Sequence, residues 1–171
     1  MSFVRLGFAL FSMIAWSDVN ASTEPASFFY AICLNTHANL DRIFSMAQVA
    51  NWRKLPDSVL DTFIPERRPQ RYSGWLVPDM GAFVLVVQGV DENRRNYRGC
   101  SVFFRDALPT QVIGELLRRY RVNNPIREND GFQRYVYFGI NVSGINHQIM
   151  ISYLDDGNQR GTLKINTLVF N

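Results

Sequence analysis

The chain has 171 residues, a formal net charge of +3 and a 47% hydrophobic composition, which suits one ordinary domain with a substantial core. Its 18 basic residues are nearly balanced by 15 acidic ones, which speaks against a nucleic-acid-binding protein, whose affinity rests on concentrated positive charge. The cations are 16 Arg and 2 Lys, an imbalance that GC-rich coding explains more simply than a dedicated anion-binding surface does.

The first residues read as a targeting segment. Residues 1–5 carry one positive charge, residues 6–16 (LGFALFSMIAW) form an apolar run, and Val19 and Ala21 stand at the small-residue spacing that a signal peptidase reads. The run falls short of the roughly 20 residues that span a bilayer. Residues 1–21 are therefore expected to be a signal peptide cleaved after Ala21. That leaves a single domain, 22–171, without a membrane span, in the periplasm or secreted.

Residues 22–65 read as helical. Phe28, Phe29, Ile32 and Cys33 share one helical face, and Leu40, Ile43, Phe44, Ala47 and Ala50 repeat the spacing behind an N-cap at Thr36 or Asn39. Trp52 is expected to pack where this second helix ends, and Asp57 to open a third that closes before Pro65. Residues 66–71 (ERRPQR) read as a polar linker.

The period then changes to that of strands. Residues 71–78, 81–90 and 98–106 read as three strands separated by turn-rich PDMG and DENRRNYRG, with Phe83–Val87 at the centre of a sheet. Helical spacing returns at Val112, Ile113, Leu116, Leu117 and Tyr120, with Thr110 as the expected cap. Three further strands follow at 131–141, 147–156 and 161–170, the last two joined by the hairpin signal DDGNQRG. The fold class is α+β: N-terminal helices, then β-β-β-α-β-β-β, a mostly antiparallel sheet covered by helix, with one disulfide.

That disulfide follows from the compartment. Cys33 and Cys100 are the only cysteines, and an even pair in an exported chain is expected to bond. Two other readings of the same residues stay open. Cys33, His37, Cys100 and His147 make a Cys2His2 set for zinc, although their spacing matches no zinc pattern. A free cysteine with His37 or His147 as base would be a nucleophile.

FYAICLNTHANL, a Trp 19 residues after Cys33, and the strand GCSVFF together resemble a loose group of small exported proteobacterial proteins of unknown function. The resemblance implies an envelope domain with a disulfide, and it brings no activity or catalytic residue with it.

Phosphate loops, dinucleotide fingerprints, HExxH and GxSxG are absent from the sequence. Ser143 and His147 flank a turn, where Asn, Ser and Gly serve the backbone. Asp155 and Asp156 mark a solvated hairpin tip. The most distinctive polar stretch is the loop bearing Arg94, Arg95, Tyr97 and Arg98, a candidate contact for an envelope protein or an acidic ligand. The expectation is an exported, disulfide-braced binding or interaction domain without metal or cofactor. Its rival is a small periplasmic hydrolase using His147 and Ser143.

Overall fold

The computed structural model describes residues 24–64, 69–154 and 160–170. The expected signal peptide, part of the expected linker, and Asp155 and Asp156 lie outside the described residues. Among the described residues no helix is long and apolar enough to cross a membrane.

Helix α1, Pro25–Phe29, runs on into a wider π-type turn at Tyr30–Leu34. Pro25 suits a helix start because the N–H it lacks would be unsatisfied there anyway. The segment ends where His37 and Ala38 adopt left-handed φ angles of 55° and 53°, and the Ala38 amide donates to the Cys33 carbonyl at 2.8 Å. Helix α2, Leu40–Val49, follows. The Asn39 side chain caps it by accepting from the Arg42 amide, as the sequence predicts. Trp52 packs on Phe28 with ring centres 5.8 Å apart. A two-residue strand, β1 (Arg53–Lys54), and a one-turn helix, α3 (Asp57–Leu60), complete the N-terminal part. The third helix is thus shorter than expected: Pro56 precedes it, Asp57 is its first residue, and residues 61–63 continue as turns.

The remaining strands are β2 (Arg71–Val77), β3 (Ala82–Val90), β4 (Asn96–Ala107), β5 (Ile126–Asn129), β6 (Gln133–Val142), β7 (Ile145–Leu154) and β8 (Gly161–Phe170). Helix α4, Pro109–Arg119, joins the two halves. Its start differs from the sequence expectation. Pro109 opens the helix after Leu108, so Thr110 lies inside the first turn and does not cap it.

All eight strands form one antiparallel sheet in the order β1-β2-β3-β4-β8-β7-β6-β5. Two four-strand meanders thus meet along β4 and β8, and the last strand of the chain sits at the middle of the sheet. The six expected strands are all present, and β1 and β5 are short additions at the two edges.

Side chains alternate between faces. One face, carrying Trp75, Val84, Val86, Val102, Phe104, Ile151, Leu163 and Ile165, forms the main core with α1, α2 and α4. The buried residues Val112, Ile113 and Leu116 are the α4 contribution. The Cys33–Cys100 disulfide ties this helical layer to β4, with Cα atoms 5.5 Å apart and 67 residues between the two cysteines. Among the described residues the opposite face is covered at one end only. There Leu60 of α3 seats over Gly74, and Phe63 packs on Phe83 and Phe103 at 5.0 and 5.4 Å.

Candidate functional site

The uncovered part of that second face is a groove of about 900 Å³, within the usual range for small-molecule sites. Strand register defines its floor in three rows. The first is Val87, Gly99, Leu168, Gln148 and Gly139; the second is Leu85, Ser101, Asn166, Met150, Tyr137 and Ile126; the third begins at Phe83, Phe103 and Lys164. Tyr97 and Phe170 close one end and the Phe63 cluster the other.

Glycine placement shapes this face. Gly74, Gly89, Gly99 and Gly139, the glycines inside strands β2, β3, β4 and β6, all fall on it. Leu60 occupies the space over Gly74 and the Tyr97 ring lies over Gly89. Gly99 is held between Val87 and Leu168, where an added Cβ would come within 2.9 and 3.1 Å of their methyl groups. At Gly139 an added Cβ meets nothing nearer than the His147 carbonyl at 3.9 Å. Glycine inside a strand weakens it and often marks a close approach of another group. Here Gly74, Gly89 and Gly99 are each approached by a side chain, and Gly139 alone leaves its place on the groove floor unfilled.

Charge on the groove is sparse. Among the described lining residues only Asp91 and Lys164 are charged, and Asp91 is held by Arg95 through a 2.7 Å ion pair and a 2.8 Å bond from the Arg95 amide. Lys164 lies with its ammonium 5.0 Å from the centre of the Phe103 ring, and burial pulls its pKa below the ordinary value. The Oδ1 atom of Asn166, two residues along β8, is buried without a hydrogen-bond partner.

The histidines lie on the opposite, helix-covered face. The left-handed turn at His37 brings its Nδ1 to 3.1 Å from His147 Nε2, and His147 Nδ1 lies 3.0 Å from Thr167 Oγ1. His147 is fully buried. That burial, with His37 and Arg98 nearby, pulls its pKa down to about 4, and burial lowers His37 as well. Both imidazoles are therefore neutral at pH 7.

These positions decide how the sequence candidates relate. Cys33 and Cys100 are bonded to each other and His37 meets His147, but among the described residues no group of three or more His, Cys, Asp or Glu is placed to hold a metal ion. In this form neither thiolate is available to zinc or to nucleophilic attack. Ser143 is exposed in the β6–β7 turn with φ 51°, and both ring nitrogens of His147 point to other partners, so the pair is not assembled as a nucleophile and base. The arginine loop is also dispersed. Strand β4 begins at Asn96, so Tyr97 faces the groove and Arg98 faces the helices. Arg94 sits at the turn with φ 59°, and Arg95 folds back over Phe170 at 4.7 Å. The four side chains are thus divided between the turn, the groove end and the helix-covered face.

Sequence reasoning missed Lys164, Asn166 and the strand glycines. The signal was present in SGWLV, QGV, RGC and FGI, each a glycine inside a β-branched or aromatic run. It missed one further cluster, at the contact of α1 with α4. Glu115 has its pKa raised by burial and by Glu24, and it accepts from Ser27 Oγ at 3.5 Å and pairs with Arg119 at 3.6 Å.

No family model matches this chain, and no curated protein or solved structure matches it.

Proposed function

We propose that the chain is an exported, disulfide-braced binding domain that holds a small apolar ligand in the open-face groove. The observation that carries this reading is the groove itself: an apolar floor of about 900 Å³ on a sheet whose other face already supplies the core. Isolated exposed apolar residues are ordinary on a protein surface, whereas a contiguous apolar hollow is a mark of binding. The imidazoles lie on the far face, so the groove offers an environment for retention and no histidine base for hydrolysis. The apolar leader and the disulfide support export, and the mass of the chain recovered from the periplasm tests that part separately.

A polarity-sensitive apolar fluorophore tests the site. Its emission is expected to rise on mixing with the protein. Gly139→Val is the informative variant. It places two methyl groups on the groove floor where nothing crowds a Cβ, so it weakens dye binding. It also replaces glycine by a better strand former, which raises stability by about 0.5–1 kcal/mol. Absence of an emission change, or equal binding by this variant, contradicts the assignment.

A further inference from the structure

The groove has a polar corner whose chemistry restricts what it holds. Lys164 and Asn166 are two positions apart on β8 and face the same side of the sheet. The ammonium has an aromatic face beside it, and among the described residues no charged neighbour contributes to its shift. A desolvated cation gains most from an anion seated directly on it. Beside it, the buried Asn166 Oδ1 lacks a donor, and a buried acceptor left unmade costs the fold free energy that a ligand O–H or N–H would recover. From this corner the apolar floor runs past Leu168 to Phe170, a span of about 20 Å at the rise of an extended strand. Asp91, the one acidic residue among the described lining residues, is already paired with Arg95, which offsets its repulsion of an anion.

Resting on the binding reading above, we infer that the ligand is a single-chain amphiphile with a carboxylate head and a hydrogen-bond donor beside it. The carboxylate meets Lys164, the donor meets Asn166 Oδ1, and the aliphatic chain lies along β8 over Leu168 and Gly99 toward Phe170. A β-hydroxy fatty acid is the simplest member of that class. The pairing is one of charge and hydrogen-bond complementarity, with chain length set by the floor.

The test is a calorimetric titration of the full chain with a long-chain β-hydroxy acid, the matching plain fatty acid and the matching alcohol, alongside the sedimentation mass of the free protein. The hydroxy acid is expected to bind tightest. The plain acid follows, weaker by about fivefold for one neutral hydrogen bond, and the alcohol is weaker again by roughly tenfold or more for the lost charge contact. Lys164→Met removes the preference for acid over alcohol, and Asn166→Leu removes the preference for the hydroxyl. Retained alcohol binding shows that each variant is folded. Equal binding of acid and alcohol by the unaltered chain overturns the head-group assignment and leaves the groove reading standing. No binding of any of the three overturns both, as does a dimer joined through this face that the acids do not dissociate.

Discussion

Burial, with His37 and Arg98 nearby, keeps the His147 imidazole neutral well below its ordinary titration range. Its pKa of about 4 lies below the ordinary 6.5, so on acidification the unfolded chain takes up this proton before the folded one does. Stability from this group is complete above pH 6.5, is lost as the pH falls through the window from 6.5 to about 4, and changes no further below it. The loss across that window is on the order of 3 kcal/mol, and the lowered pKa of His37 acts in the same direction. Urea unfolding at a series of pH values is expected to show this slope, and His147→Gln to flatten it. An unaltered chain with a flat profile over the same window contradicts the burial argument. None of this was readable from the sequence, where His37 and His147 stand 110 residues apart. Their contact depends on two consecutive left-handed residues, His37 and Ala38, that carry no glycine to announce them.

Among the elements, the join between the helical layer and β4 depends on one covalent bond. Closing 67 residues between Cys33 and Cys100 lowers the entropy of the unfolded chain by about 4 kcal/mol at 25 °C. The Cys33→Ala, Cys100→Ala double variant is expected to unfold earlier in denaturant by up to that amount while keeping its strand signal in circular dichroism. A stability equal to that of the parent contradicts a bracing role. This pairing was legible because the chain has two cysteines and no others, and an even pair is the usual mark of a disulfide. The six long strands, α2 and α4 were legible too, from period alone. The two edge strands were not: Arg53–Lys54 and Ile126–Asn129 are short, exposed and polar or charged at most positions. Such residues blunt a sheet edge against further pairing, and they erase the alternation that would betray a strand. α3 was overextended in the reading because Phe63 continues the apolar spacing. It does so from a turn, in order to reach Phe83 and Phe103.

For the fold taken together, the sequence reveals which residues alternate and conceals which face is covered. Apolar residues occur on both sides of β3, as Val84 and Val86 on one and Phe83, Leu85 and Val87 on the other. Period 2 alone predicts a strand buried on both faces. Only the assembled sheet shows that the helices cover one face and that α3 reaches just one end of the other. The groove is therefore a property of layer count, since three of the four α-helices among the described residues serve the same face. Its glycines were visible in the sequence, but their common orientation required the register of four strands. The central claim, that this uncovered face is a binding site, is tested most directly by amide NMR of the full chain during titration with a long-chain β-hydroxy acid. Shifts are expected to gather at Gly99, Gly139, Lys164, Asn166 and Leu168 while the helical layer around Cys33 stays still. Unmoved groove amides, or shifts confined to the helix-covered face, would contradict it.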